Sequence, residues 1–309
     1  MKILITGSSG FLGKTLCNYL ELLGHDLTKL NSRNCDLCNP RGLEVYSSLS
    51  FEMIFHLAAW TQAGDFCLRH PGEQWIINQK INTNVLDWWA NSQPQAKLIF
   101  MGTSCAYSPE SGLTEEEYMV GEPISSLYTY AMTKRMLYQG ARALNQQYGL
   151  RYICAVPSTL YGSDYHRDGR QMHFIFDLIR KIIRGKEYDE PVVLWGDGKQ
   201  MRELVLVDDF VDLMWQVSCK FENDIFNIGA GKEHTIRHFA SVICDIVGYS
   251  SGLINYDTNR YVGAKSKCLN IDKINRALPK YELKSLDFGI SKTIEWFYQT
   301  RAYGEKLAD

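Results

Sequence analysis

The stretch Lys2-Ile-Leu-Ile-Thr-Gly-Ser-Ser-Gly-Phe-Leu-Gly13, near the start of the 309-residue chain, decides the fold. A short aliphatic run is followed by three glycines and then, without a break, by an amphipathic stretch. Such a loop turns tightly at Gly7, lets a pyrophosphate approach the backbone at Gly10 and packs the next helix onto the strand at Gly13. We therefore predict a dinucleotide site at the N-terminus of the first helix.

Short apolar runs alternate with longer amphipathic stretches through the first half of the chain. This alternation predicts parallel strand-helix-strand units with right-handed crossovers, and hence an α/β fold built on a Rossmann doubly wound parallel sheet. The predicted strands are Lys2–Thr6, Met53–Leu57, Leu98–Met101 and Tyr152–Val156, and the predicted helices are Lys14–Leu23, Ile76–Asn91 and Tyr130–Gln147.

The pattern loosens after Pro157, where a charged loop at Ser163–Gln171 precedes a helical segment at His173–Arg184. Leu204–Val207 and Asp224–Ile228 again look like buried strands, so we expect the chain to return to the first sheet. The expected division is a dinucleotide-binding domain at 1–157 with returning segments near 204–229, and a smaller interwoven C-terminal α/β substrate-binding region at 158–203 and 230–309.

Composition excludes several classes of function. Lys and Arg number 33 against 35 Asp and Glu, a formal net charge of −2, so no basic field indicates a nucleic-acid partner. The longest apolar stretches, such as Met53–Trp60, are far shorter than the roughly 18 residues of a membrane span, and no membrane partner is expected. The N-terminus lacks a signal-peptide pattern, which predicts a cytoplasmic protein.

The nine cysteines are scattered along the chain, which favours reduced thiols over a disulfide framework. Cys35 and Cys38 form a Cys-x-x-Cys pair, yet no second pair follows at zinc-finger spacing. We therefore predict no metal site, and we expect these two cysteines in a loop near the adenine.

The end of the second strand indicates which dinucleotide binds. An Asp or Glu there would bind the ribose 2′-hydroxyl of NAD, whereas a cation accommodates the 2′-phosphate of NADP. The chain places Ser32 and Arg33 at this point and no carboxylate, which favours NADP. Asp36 and Leu37 follow and are expected beside the adenine.

A phenol and an ammonium lie four residues apart in Tyr130-Ala-Met-Thr-Lys134, on one face of a predicted helix. The ammonium is expected to lower the pKa of the Tyr130 phenol toward the range of a general acid and base. Thr103 and Ser104 supply hydroxyl groups at an upstream strand end. With the glycine loop, this arrangement predicts hydride-transfer chemistry.

Six ordered motifs spread over the chain together resemble the signature set of the extended short-chain dehydrogenase/reductases, enzymes that act on nucleotide sugars. They are Gly7-x-x-Gly10-x-x-Gly13, His56-Leu-Ala-Ala59, Thr103-Ser-Cys-Ala-Tyr107, Tyr130-x-x-x-Lys134, Pro157-Ser-Thr-Leu-Tyr-Gly162 and Gly196-Asp-Gly-x-x-x-Arg202 with Asp208-Asp209 beyond it. The resemblance implies a catalytic triad of Thr103, Tyr130 and Lys134. It implies further cofactor contacts at Ser9, Phe11, Leu12, Leu57, Ala58, Ala59, Pro157 and Leu160, besides the glycines, Ser32, Arg33, Asp36, Leu37, Tyr130 and Lys134.

The residues after Thr103 favour one branch of this family. Dehydratases of the family carry an Asp-Glu pair where this chain has Ser104 and Cys105, so dehydration is not expected. Cys105, with His173 at the start of a later helix, resembles the GDP-L-fucose synthase branch. The resemblance implies NADPH-dependent reduction of the C4 ketone of a GDP-4-keto (6-deoxy) sugar, coupled to C3/C5 epimerisation with Cys105 as base and His173 as acid.

The same resemblance implies substrate contacts, with departures from the branch pattern. The implied substrate-binding residues are Ser104, Thr159, Lys181, Trp195, Arg202 and Lys267. Thr103 stands where the branch has serine, Thr159 where it has asparagine, and Lys181 where it has arginine, which loses a bidentate fork but keeps the charge. The branch also implies a homodimer built on the helix of Tyr130 and its predecessor, and a place in surface-polysaccharide synthesis.

Three other functions stay open from the sequence. The chain could act as a reductase only, on a related keto sugar such as a heptose. It could be a nucleotide-sugar 4-epimerase that retains NAD, or a non-catalytic redox sensor that kept the dinucleotide site. The intact Thr103, Tyr130 and Lys134 set argues against the sensor.

Overall fold

A six-stranded parallel sheet forms the centre of the protein, whose computed structural model describes residues 1–63, 66–259 and 266–304. With strands numbered along the chain, the spatial order is β2 (Asp26–Leu30), β1 (Lys2–Thr6), β3 (Met53–His56), β4 (Lys97–Met101), β5 (Tyr152–Pro157) and β9 (Asp224–Ile228). The predicted Rossmann-type α/β fold is confirmed. The chain runs outward from β1 to β2 on one side and from β3 onward on the other, so a crevice opens at the carboxyl ends of β1 and β3.

Helices connect and flank these strands. They are α1 (Phe11–Leu22), α2 (Phe66–Arg69), α3 (Pro71–Ser92), α4 (Tyr128–Tyr148), α5 (Phe174–Tyr188), α6 (Val207–Lys220), α7 (Ile236–Val247), α8 (Asp272–Ala277) and α9 (Leu286–Thr300). α3 begins at a proline, which suits a first helical position, and α4 ends at Gly149 in the left-handed conformation. No described helix is both long and apolar enough to cross a membrane.

Two smaller sheets form the second region. One contains β6 (Thr159–Tyr161), β8 (Met201–Leu206) and β10 (Glu233–Thr235), and the other pairs β7 (Val193–Trp195) with β11 (Asn255–Asp257). The expected return to the first sheet holds for β9. It is wrong for 204–206, because β8 pairs with β6 and β10. An apolar run marks a buried strand without saying which sheet takes it.

The central sheet is covered on both faces, as the alternation along β1 illustrates. Leu4 belongs to the core on the α3 and α4 side, whereas Ile3 and Ile5 belong to the core that includes α1 and α6. A third core lies in the second region, and Phe11 at the start of α1 packs against it. The glycine loop is therefore held directly against the region expected to bind substrate.

Candidate active site

The loop after β1 leaves no room for a side chain at Gly7 or Gly13. Gly7 has φ +69, and a Cβ on it would lie 2.8 Å from the Ala58 nitrogen. A Cβ on Gly13 would lie 2.1 Å from the Gly7 carbonyl oxygen, so only glycine lets α1 begin this close to β1. Gly10 caps α1 without a side chain, and the positive helix end therefore keeps its affinity for an anion. This loop fits a dinucleotide diphosphate.

A cleft of about 440 Å³ opens beside this loop; we call it the glycine-loop cleft. Nine of the predicted cofactor residues line it: Gly7, Ser9, Gly10, Ser32, Asp36, Leu37, Leu57, Ala58 and Ala59. Cys35 and Cys38 line it too. Arg33 is exposed and does not line the cleft.

Arg170 also lines the glycine-loop cleft, and the sequence analysis missed it. Its guanidinium is held by Asp168, with two Nε–oxygen distances of 2.9 Å. Both residues belong to the charged loop at 163–171, whose sequence carries no local signal that it lies beside this cleft. The loop supplies the cleft with a cation.

Other predicted cofactor residues support the cleft without lining it. Phe11 packs edge-on against Tyr165 at 5.3 Å and Phe176 at 5.6 Å. Leu12 and Leu160 pack against the core beneath the central sheet. Pro157 ends β5, and Gly13 allows the helix–strand approach described above.

The predicted triad forms at the end of β4 and on α4. Thr103 is buried, and its Oγ1 accepts a hydrogen bond from the Cys105 backbone at 3.2 Å. Burial raises the pKa of Tyr130, with the nearby Cys105 as the next cause, whereas a hydrogen bond with Thr103 opposes the rise. The expected lowering of this pKa is wrong for the free protein, because desolvation outweighs the favourable contacts.

Lys134 lies one turn beyond Tyr130 and is buried. Burial lowers the pKa of its ammonium to about 8. The ammonium in turn lowers the pKa of His56, after the larger effect of burial. Lys134 is thus close to the end of β3, the neighbour of β1, where a bound cofactor would lie.

A buried polar chain holds α4 in this position. His56 Nδ1 lies 2.9 Å from Thr6 Oγ1, and His56 Nε2 lies 3.2 Å from Asn82 Oδ1. The Asn82 amide then donates to the Thr133 carbonyl oxygen on α4 at 3.3 Å. Arg135 donates to the carbonyl oxygen of Ala106, which ties α4 to the segment after Thr103. These bonds place Tyr130 and Lys134 relative to β1, β3 and β4.

A second cleft, of about 550 Å³, lies between the two regions; we call it the Cys105 cleft. Seven predicted residues line it: Ser104, Cys105, Thr159, His173, Trp195, Arg202 and Lys267. Lining residues that the sequence analysis missed include Ser158, Gln171 and Glu203. Ser158 is nearly fully buried, and its hydroxyl has no partner among the described residues, which leaves it available to a ligand. The sequence did offer a signal for Ser158, because it lies between Pro157, a predicted cofactor contact, and Thr159, a predicted substrate contact.

His173 is neutral in the free protein. Burial, followed by the cations Arg202 and Lys267, lowers the pKa of its imidazole to about 4. Its Nδ1 is buried without a hydrogen-bond partner among the described residues. Tyr165 accepts a hydrogen bond from the His173 backbone at 3.2 Å and fixes the start of α5.

Lys181 departs from its predicted place. Its ammonium lies 2.8 Å from Asp177, one turn earlier on α5, and it does not line the Cys105 cleft. The intrahelical carboxylate, at the favourable i,i+4 spacing, satisfies the charge locally.

The cysteine motifs do not assemble a metal centre in the part of the chain that the structure describes. No group of three or more His, Cys, Asp or Glu side chains gathers there in ligating geometry. All nine thiols are free, and burial is the largest cause of the raised pKa of both Cys35 and Cys38.

This fold and site define a dinucleotide-binding enzyme of the short-chain dehydrogenase/reductase type. Residues 3–229 match the model of the NAD dependent epimerase/dehydratase family, and the chain belongs to that family. It is 28% identical over 307 residues to a GDP-L-colitose synthase of Yersinia pseudotuberculosis, covering 96% of this chain and 98% of the relative. It is 26% identical over 315 residues to the GDP-L-fucose synthase of Escherichia coli K12, covering 97% of each.

Solved structures agree on the fold. A GDP-L-fucose synthetase from Naegleria fowleri, solved bound to NADP, superimposes with a TM-score of 0.87 at 22% identity. The superposition covers 99% of this chain and 96% of that one.

Proposed function

We propose that the protein reduces the C4 ketone of a GDP-linked 4-keto (6-deoxy) sugar with NADPH and epimerises the sugar at C3 and C5. The observation that carries this proposal is the presence of Cys105 and His173 in one cleft, beside the Thr103 and Tyr130 pair. Relatives named for GDP-L-colitose and GDP-L-fucose share the nucleotide and differ in the sugar, which supports GDP and leaves the sugar to experiment.

The reducing half of the reaction uses the triad. NADPH, when bound in the glycine-loop cleft, supplies the hydride. Tyr130 gives its phenolic proton to the C4 oxygen, and Thr103 orients both groups through its hydroxyl. Lys134 would hold the nicotinamide ribose through hydrogen bonds, and its ammonium offers positive charge as Tyr130 loses its proton. Its place near the end of β3 supports this role.

The epimerising half depends on the same ketone. A C4 carbonyl acidifies the C–H bonds at C3 and C5, so Cys105 can remove a proton while the electron pair moves into the carbonyl as an enolate. Return of a proton to that carbon from His173, on the opposite ring face, inverts the centre. A substrate diphosphate beside Arg202 would offset a charge that keeps His173 neutral. Binding would thus prepare His173 as the acid.

We also propose a homodimer formed by α3 and α4. An apolar groove of about 420 Å³ runs between them, lined by Pro71, Gly72, Trp75, Ile76, Tyr128, Thr129 and Met132. Ile76 is 55% exposed, a large apolar surface that a second copy of the chain would cover. We place the enzyme in the cytoplasm, where its product would supply polysaccharide assembly.

Consumption of NADPH with defined substrates tests the proposed function. We expect oxidation of NADPH with GDP-4-keto-6-deoxymannose, and little with the UDP-linked sugar. A preference for a GDP-4-keto-heptose would change only the identity of the sugar in the proposed function. NAD that stays bound through purification, with C4 epimers interconverted and no net NADPH use, would identify a 4-epimerase. Absence of turnover with every keto sugar would contradict the proposed function and favour the sensor.

A further inference from the structure

We propose that Lys267 is a positioning residue whose ammonium contacts Cys105 and stabilises the thiolate that acts as the base. The proposal deepens the proposed function and rests on it for the reaction that Cys105 serves. Lys267 Nζ lies 3.3 Å from Cys105 Sγ, a direct contact between an ammonium and a thiol. A neighbouring cation stabilises a thiolate, and the thiolate is the reactive form of cysteine.

Two carboxylates on adjacent strands hold the Lys267 segment. Glu233 on β10 accepts hydrogen bonds from the Lys267 backbone and from the Ser266 hydroxyl. Glu203 on β8 accepts hydrogen bonds from the backbone of Leu269 at 2.9 Å and of Gly231 at 2.7 Å. The segment is thus fixed on both sides of Lys267, although it contributes no strand or helix of its own.

The position of these two carboxylates destabilises the pairing of β8 with β10. Glu203 and Glu233 are directly opposite each other in the antiparallel β8–β10 register, where like charges destabilise a pair of strands. Glu203 is also buried, which raises the pKa of its carboxyl. Both glutamates nevertheless accept backbone hydrogen bonds from the segment that carries Lys267, and these bonds hold the segment beside the Cys105 cleft.

Arg202 is a second cation that lines the Cys105 cleft, whereas the other ionisable neighbours of Cys105 carry no positive charge. Tyr130 and Cys67 are close to it, and burial raises the pKa of both, so they are neutral at neutral pH. His173 is neutral as well. Lys267 contacts the thiol directly, through its Nζ at 3.3 Å from the sulfur.

The proton transfers balance under this proposal. The Cys105 thiolate takes the proton from C3 or C5 and becomes a thiol, and the enolate takes up the negative charge. Lys267 keeps its proton throughout. After the thiol loses its proton, the ammonium beside the cleft again stabilises the thiolate.

Alkylation of Cys105 in the free enzyme tests the contact without any sugar. The rate of iodoacetamide labelling, followed by mass spectrometry of the Cys105 peptide across pH, reports the thiolate fraction. In Lys267→Met we expect the rate at pH 7 to fall about tenfold, and in Lys267→Arg to stay near that of the parent. Labelling of the exposed Cys219 serves as the internal control.

Glu233→Ala gives a second, independent variant, because it keeps the ammonium but releases the segment that carries it. We expect it to slow Cys105 labelling as well, whereas a purely structural role for Lys267 would leave the pH profile of labelling unmoved. An unchanged profile in folded Lys267→Met would overturn the proposal.

A deuterium-exchange assay connects the contact to the reaction. In D₂O with a 4-keto sugar, Lys267→Met should lower the exchange rate at C3 and C5 about tenfold relative to the rate of ketone reduction. If both rates fell equally because KM rose, Lys267 would instead be a residue that binds the substrate diphosphate. If the parent enzyme exchanges no proton, the proposed epimerisation fails, while the labelling result still decides the contact between Lys267 and Cys105.

Discussion

Tyr130 illustrates what a sequence motif predicts at the scale of one residue and what it leaves out. The four-residue spacing to Lys134 predicts that both side chains share a helix face, and the structure places them so. The spacing carries no information on burial, which raises the pKa of the phenol in the free protein. Desolvation comes from the whole surroundings of the site, including residues far away in sequence.

Replacement of Tyr130 by phenylalanine should remove the proton donor for ketone reduction. We expect NADPH oxidation to fall by at least about a hundredfold, since general acid catalysis contributes on that order. The matched control is Tyr148→Phe, at the exposed far end of α4. Equal activity of the two variants would exclude Tyr130 as the acid.

Lys134 should make NADPH binding depend on pH. Its pKa of about 8 lies below the usual value of 10.5, so the ammonium is charged below pH 8 and loses its proton above it. We expect the Kd of NADPH to rise about tenfold between pH 7 and pH 9, because a charged hydrogen bond is weakened. Fluorescence titration measures this, and Lys134→Arg should flatten the dependence. A parent protein with a flat profile would contradict it.

At the scale of elements, the periodicity of apolar residues predicts the order and type of the strands and helices. It does not predict which elements contact each other. The sequence predicts β3, α3 and α4, but nothing marks Asn82 as the link between His56 and Thr133. A polar residue in a helix usually faces solvent, and only the assembled fold buries this one. The same limit explains Lys181, whose helix was predicted while its pairing with Asp177 was not.

Replacement of Gly13 by alanine tests the helix–strand approach. A Cβ there meets the Gly7 carbonyl oxygen at 2.1 Å, so the loop must shift. We expect a loss of about 1–3 kcal/mol in the free energy of unfolding and weaker NADPH binding, measured by urea denaturation and titration. Gly252→Ala, shortly before β11, is the control, because a Cβ there would make only an ordinary contact of 3.7 Å with the Ser250 hydroxyl. Equal behaviour of the two variants would refute this account of the loop.

The whole molecule should lose stability in mild acid in part through the buried His56. The pKa of His56 is about 4 in the folded protein, against 6.5 ordinarily, mainly because of burial. The unfolded chain therefore binds more protons between these values, and stability falls as pH drops below 6.5. This group alone should cost about 2 kcal/mol at pH 5 relative to pH 7. Urea denaturation measures it, and His56→Gln should lack this part of the loss; an identical loss would disprove the assignment.

The quaternary state follows from the apolar groove between α3 and α4. Ile76→Glu places a charge in this surface and should convert a dimer to a monomer in light-scattering measurements. Val45→Glu, at a position 74% exposed and outside the groove, should leave the assembly unchanged. A parent protein that is monomeric, or a dimer insensitive to Ile76→Glu, would place the interface elsewhere.

The central claim is that one ketone undergoes epimerisation and reduction in one cleft, and NMR of the reaction in D₂O tests it most directly. GDP-4-keto-6-deoxymannose, NADPH and the enzyme should give a product reduced at C4 with deuterium at both C3 and C5. The Cys105→Ser enzyme should incorporate far less deuterium. A reduced product without deuterium at either carbon would contradict the claim, leaving a reductase in which Cys105 and His173 only bind the sugar.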